Sequence, residues 1–197
     1  EIGNALLKSN AKTIEEANQV KTSDSTIGDL IIAKTAKIGE KLSFRRFEIV
    51  TKSDAEVFGP YLHLGGRIAT LIVLKGANET VAKDVAMQAA AMKPSYLFSK
   101  DVPAEEVNRE RSVIKEQAIN EGKPADIAEK MVEGRIKKYF QEICLADQAF
   151  IKENSIDIKT YVTNNGGELV SMVRYEVGEG LEKRSEDFAA EVMKQIG

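Results

Sequence analysis

Residues 57–75 read Val-Phe-Gly-Pro-Tyr-Leu-His-Leu-Gly-Gly-Arg-Ile-Ala-Thr-Leu-Ile-Val-Leu-Lys. Val57 to Leu64 and Arg67 to Lys75 are strand-length runs, the second rich in Ile, Leu and Val, and Gly65-Gly66 lies between them. Two such runs around a Gly-Gly turn predict an antiparallel hairpin. Downstream, Gly76-Ala77-Asn78 opens a helix through Met87 and Ala91, which Pro94 closes. Upstream, Ser53-Asp54 is a polar turn. Before it, Leu42, Phe44, Phe47 and Ile49 stand among Arg45, Arg46 and Glu48, which predicts another strand with a slip near the arginines. Asp24-Ser25-Thr26 caps a helix running to about Ile38, and Gly39 stops it. Ile2 to Lys8 reads as the end of a helix that began earlier.

Past Pro94 the pattern changes. Pro103 to Glu121 is polar and strongly helical, with Val107, Arg111, Ile114 and Ala118 at three- to four-residue spacing. Glu121-Gly122-Lys123-Pro124 stops that helix and starts another. The second helix carries Ile127, Met131 and Val132, Ile136, Tyr139 or Phe140, and Ile143 as its apolar stripe. A link this short makes the two helices antiparallel neighbours, and their narrow stripes predict a protruding helical hairpin. A short helix is expected within Ile156–Asn165, a turn at Asn165-Gly166-Gly167, a strand from Leu169 to Val177, and a terminal helix over Lys183–Ile196. The expected class is α+β: antiparallel sheet, packed helices, and a helical hairpin inserted between strands.

The 197 residues are 43% hydrophobic and 30% charged, with a net charge of −3. That composition belongs to a globular protein with a sizeable core, and it gives no global basic field for nucleic acid or an anionic membrane. Cys144 is the single cysteine, so no intramolecular disulfide forms, and a cytoplasmic location fits. Apolar runs such as Ile68–Leu74 are far too short for a bilayer span. Glu1-Ile2-Gly3 is not a signal peptide, and the missing initiator Met suggests a processed or trimmed piece.

Chemistry-bearing motifs are scarce. The carboxylates lack metal-site spacing, and no nucleophile elbow or phosphate loop occurs; the glycine pairs read as turns. No cofactor is expected. Cys144 falls near a helical apolar stripe and reads as a core thiol. Arg135, Lys137 and Lys138 form a small basic patch that Glu133 and Glu142 dilute. His63 stands beside the hairpin turn, with Tyr61 two residues earlier on the same face. By spacing it is a structural or plainly exposed histidine; the alternative is a polar contact offered to a partner protein.

Five stretches, in order, carry a resemblance: KIGEKLSFRRF at 37–47, YLHLGGRIATLIVLKG at 61–76, DVAMQAAAMKPSYL at 84–97, KPADIAEKMVEGRIKKYFQEICLADQ at 123–148 and RYEVGEGLEKRSEDFAAEV at 174–192. From about residue 30 onward the chain resembles elongation factor Ts. The resemblance implies two α+β subdomains of antiparallel sheet packed with helices. It divides the chain into a partial N-terminal core subdomain (1–54), a C-terminal core subdomain (55–98 and 149–180), a helical hairpin insertion for dimerisation (99–148) and a C-terminal helical module (181–197). It implies a nucleotide exchange factor without covalent chemistry, which binds elongation factor Tu carrying GDP and promotes GDP release so that GTP can bind. It also implies that Ile38, Gly39 and His63 contact one helix of the nucleotide domain of elongation factor Tu, that Ile151 faces the same partner, and that the hairpin supports a homodimer. The family's N-terminal helical domain and its Thr-Asp-Phe-Val wedge are not found in these 197 residues, so docking with poor exchange is the expectation for them alone. The rival readings are an RNA- or ribosome-binding protein using the hairpin, and a hydrolase using His63 and Cys144.

Overall fold

The computed structural model describes residues 1–181, so the expected terminal helix lies outside the described residues. Among them the helices are α1 (Ile2–Leu7), α2 (Ile14–Gln19), α3 (Ile27–Ile38), α4 (Glu79–Met92), α5 (Ala104–Asn120), α6 (Ala125–Ile143) and α7 (Ile158–Asn164). The strands are β1 (Glu56–His63), β2 (Ile68–Lys75), β3 (Ala149–Phe150), β4 (Glu153–Asp157) and β5 (Glu168–Glu176). The class is α+β. The chain divides into two compact units, Glu1–Thr51 and a second beginning at Lys52.

In the first unit, two capping boxes set the helix starts. Thr13 with Glu16 opens α2, and Thr26 with Asp29 opens α3, so each cap satisfies orphan backbone N–H groups. Gly39 ends α3 at φ 78°, the left-handed conformation a C-terminal cap requires. Leu6, Ala17 and Ile27 form the buried centre, and Phe44 and Phe47 pack against it with ring centroids 6.0 Å apart. The strand expected over Leu42–Ile49 does not form. A strand needs a neighbour to receive its backbone groups, and the described residues of this unit are otherwise helices and their links. Phe44 and Phe47, three apart, instead turn toward the same helical core. Helix α2 escapes the periodicity reading, although Thr13 and Glu16 have the spacing of its capping box.

The second unit is built on an antiparallel sheet of order β1-β2-β5. His63 pairs with Ile68 and Gly59 with Ile72, so Gly59, Tyr61 and His63 share one face with Ile68, Thr70, Ile72 and Leu74. Helix α4 covers that face with Val81, Ala82, Val85, Ala86 and Ala89, all buried. The alanine ridge lets helix and sheet approach closely, and Gly59 completes the fit: a Cβ there would lie 2.2 Å from the Ala82 backbone carbonyl. Thr70 Oγ1 donates to the Ala86 carbonyl at 2.9 Å, which satisfies a hydroxyl that is otherwise dry. Burial of Ile72, Leu74, Leu145 and Ile158 in the same cluster contributes about 2–3 kcal/mol for each side chain.

Helices α5 and α6 form the expected antiparallel hairpin, with Ile114, Ala118, Ala128, Val132 and Ile136 along its buried seam. Ile127 is 40% exposed and lies off the seam, because Ala128, one residue on, takes the inward position. Arg111–Glu133, Lys115–Glu129 and Arg135–Glu121 pair across the two helices. At the hairpin base, Tyr96 and Tyr139 both donate to Glu106, at 2.7 and 2.5 Å. These two bonds hold the Glu106 carboxyl below its usual range, with a smaller contribution from Arg109. A carboxylate whose folded value is lowered stabilises the fold above the ordinary glutamate range, and that stabilisation is lost as pH falls through the folded value. Glu106→Gln should therefore lose less thermal stability than the parent chain between about pH 5 and pH 3. Parallel melting curves across that window check this; equal slopes would remove Glu106 from the account.

Candidate partner-binding site

The four residues expected at an interface fall on both units, and each surface is described by itself. On the first, Ile38 ends α3 and is 56% exposed, and Gly39 follows it as the cap. Among the described residues, chain neighbours aside, no atom lies within 4 Å of a Cβ built on Gly39, so its backbone conformation, not crowding, favours glycine there. Leu42 N–H donates to Thr35 Oγ1 at 3.2 Å, which fixes the chain just after the cap. Ile38 and Gly39 thus form an open shoulder at the end of a helix.

On the second unit, His63 is the last residue of β1 and is half-buried. The Tyr61 hydroxyl lies 3.3 Å from its Nδ1, and the two rings stack with centroids 5.9 Å apart. With the phenol as donor, Nδ1 accepts and Nε2 carries the ring hydrogen. Tyr61 packs against the core, so the histidine rests on a fixed support.

Ile151 occupies the turn between β3 and β4 and is 44% exposed. Its backbone N–H donates to the side-chain oxygen of Gln88 at 3.0 Å. Gln88 is fully buried on α4, and its amide nitrogen reaches Gln148 Oε1 at 3.2 Å and the Ala149 carbonyl at 3.1 Å. Gln148 in turn donates to the Glu142 carbonyl at 3.0 Å. A second tie lies beside the first: Asp84 on α4 accepts from Lys152 at 2.6 Å and from the Tyr161 hydroxyl at 3.0 Å. Burial and the neighbouring Asp84 push the Tyr161 phenol up to about 12, so it stays a donor at neutral pH. Phe150 stacks on Tyr161 at 4.2 Å. The sequence reading missed these supports, though Gln88 shares a helical stripe with Val81 and Val85, a spacing that marks a buried, bonded amide.

The thiol chemistry has no footing. Cys144 is fully buried, and burial, with Asp147, Asp101 and Glu106 adding to it, pushes its thiol up to about 12. A thiol so placed yields almost no thiolate at neutral pH. Among the described residues no cluster of His, Cys, Asp or Glu is arranged to hold a metal ion, and no helix is long and apolar enough to cross a membrane. The open groove of about 620 Å³ between α5 and α6 is lined by Arg111, Lys115, Glu129 and Glu133 among others. Arg111 pairs with Glu133 and Lys115 with Glu129, and the groove's one hydroxyl, Ser112, donates to the Asn108 carbonyl at 3.0 Å.

The sequence profile of the family described as Elongation factor TS matches residues 1–179. The chain belongs to the elongation factor Ts family. An elongation factor Ts from Limosilactobacillus reuteri (strain DSM 20016) is 50% identical over 183 residues, covering 93% of this chain and 63% of that protein. One from Limosilactobacillus fermentum (strain NBRC 3956 / LMG 18251) is 47% identical over 196 residues, covering 100% of this chain and 67% of that protein. The chain thus spans about two thirds of the length of these relatives. The family match starts at residue 1, ahead of the first quoted motif. Helices α1 and α2 lie within the matched residues.

Proposed function

We propose that this chain docks on elongation factor Tu carrying GDP and speeds loss of the nucleotide, acting in the cytoplasm as an exchange factor without covalent chemistry. The observation that carries this reading is the family match over residues 1–179; the exposed positions of Ile38 and Ile151 and the braced His63 support it. In the proposal Ile38, Gly39, His63 and Ile151 are the contact residues, and His63 Nε2–H is the polar donor among them. Such a protein need not touch the nucleotide. It binds the nucleotide-free partner better than the GDP form, so the two ligands weaken each other by one shared coupling free energy. The Thr-Asp-Phe-Val segment that wedges near the partner's Mg²⁺ in the family has no match in residues 1–197, so these residues alone should dock well and exchange weakly.

Self-association through α5 and α6 is part of the same proposal, with Val113, Ile119 and Ile127 as its exposed apolar side chains. Sedimentation at rising concentration tests it, and monomers alone at every concentration would exclude it. The RNA-binding reading is not favoured, since the hairpin's Arg111, Lys115 and Arg135 each face a glutamate across the helices.

Release of a fluorescent GDP from purified elongation factor Tu, with and without this chain, tests the function. His63→Ala should lower the chain's affinity for nucleotide-free elongation factor Tu roughly tenfold, as expected for loss of one hot-spot contact. Its melting midpoint should fall by no more than a few degrees. Unchanged affinity, or a large loss of stability in that variant, would return the histidine to a structural role.

A further inference from the structure

The β1–β2 turn is exposed at Leu64, Gly65 and Gly66. Among the described residues, chain neighbours aside, no atom lies within 4 Å of a Cβ built on Gly65 or Gly66. Two leucines flank His63 on this projection: Leu62 is 69% exposed and Leu64 is 63% exposed. Leu62 points to the sheet face opposite the histidine, where its cross-strand partner is Ala69, too small to cover it.

Leu64 is the more telling of the two. Its φ is +49°, followed by Gly65 at +66° and Gly66 at +91°. Three consecutive residues are left-handed, and only the first carries a side chain. Among the described residues Leu64 and Lys93 are the two non-glycine positions with positive φ. A residue that carries a Cβ resists that conformation, since the Cβ crowds the following carbonyl. Strain of this kind is tolerable when burial of the side chain offsets it, and here the side chain is in water. Folding alone favours glycine at position 64. The turn therefore carries an exposed apolar group at some cost to stability, a combination that belongs to binding surfaces.

We propose that Leu62 and Leu64 are the apolar anchors that seat this turn on the partner, one on each side of the His63 donor. This rests on the reading that His63 faces a helix of elongation factor Tu, and it names what else that contact contains. The arrangement commits to an occupant with an apolar groove alongside a backbone or side-chain acceptor: two leucines fill the groove, and the imidazole N–H fixes the register. Hot spots have this form, a desolvated apolar centre beside a directed polar bond. The continuity of the leucines with His63, residue by residue along one strand end, is what assigns them to the same partner.

The test uses Leu64→Gly and Leu62→Ser in the full chain, with affinity for nucleotide-free elongation factor Tu and the melting midpoint measured on each. Leu64→Gly relieves the strain and keeps the turn bond from Arg67 N–H to the residue-64 carbonyl. It should leave the midpoint unchanged or raise it by a few degrees, while affinity falls about tenfold. Leu62→Ser should weaken binding severalfold at unchanged stability. Opposite movement of stability and affinity in Leu64→Gly is a result that a structural leucine cannot give. Binding within twofold of the parent in both variants would overturn the proposal while leaving the exchange reading intact. A parent chain that does not bind elongation factor Tu would remove both. Loss of self-association with partner binding retained would assign the leucines to a second copy of this chain and overturn the proposal as well.

Discussion

Gly59→Ala is expected to destabilise the second unit by about 3 kcal/mol or more. The new methyl would stand 2.2 Å from both the carbonyl carbon and the oxygen of Ala82, and 2.7 Å from its Cβ. Side chains can often swing away from such a contact. Here the obstacle is the backbone of α4, in the middle of a helix whose buried face also grips β2 through the Thr70–Ala86 bond. The helix must shift as a body, and the core formed by Ile72, Leu74 and Val85 loses contacts with it. For a chain of this size the loss corresponds to a drop in melting midpoint of roughly 6–12 °C. Urea unfolding followed by circular dichroism measures it. Because the nearest atoms are backbone, adding Ala82→Gly should not restore stability. Recovery in the double variant would mean that the methyl–methyl contact, and not the carbonyl, sets the spacing.

The second large effect is expected from Gln88→Ala. This one side chain accepts from Ile151 N–H and donates to Gln148 and to the Ala149 carbonyl. Removing it deprives the buried Gln148 amide oxygen, the Ala149 carbonyl and the Ile151 N–H of this partner and opens a cavity under the β3–β4 turn. Each unsatisfied group costs about 1–3 kcal/mol, so a loss of about 3 kcal/mol is expected after relaxation. Unlike Gly59→Ala, this change should also reach the proposed interface, because Ile151 loses its tether. Amide exchange at Ile151 should rise by at least roughly a hundredfold, in step with the free energy of the lost bonds. If Ile151 stays protected while global stability falls, the Lys152–Asp84 pair is holding the turn by itself.

Much of this architecture is legible in the sequence where backbone chemistry announces it. Gly65-Gly66 between two apolar runs marks the β1–β2 hairpin, Thr26 and Asn78 mark helix starts, and Pro103 and Pro124 mark the limbs of the helical hairpin. What escapes has physical reasons. Strand β4 is Glu153-Asn154-Ser155-Ile156-Asp157, almost wholly polar, and β3 has two residues, so neither shows an alternation. The Leu42–Ile49 stretch has strand-forming residues, yet a ladder needs a second strand, and the apolar side chains are taken up by helices instead. Ile127 and Ala128 both fit a helical stripe, and only the facing helix decides between them. For the site, Tyr61 beside His63 follows from strand alternation. The remaining assignments come from the resemblance, since no spacing distinguishes a docking isoleucine from an ordinary exposed one. The Gln88 network joins residues some sixty positions apart, and the strain at Leu64 lies in a dihedral angle that no residue type announces.

The bonds at the foot of the helical hairpin have a mechanical meaning. Helix α6 has 19 residues, a rod of about 28 Å at 1.5 Å per residue. On an arm of that reach, a tilt of about 6° at the foot carries the far end through roughly 3 Å, enough to miss a hydrogen bond. Glu106 takes one bond from Tyr96, which precedes the arm, and one from Tyr139 on its returning limb. Those three side chains act as a protractor: two short bonds near the pivot set the bearing of everything the arm carries.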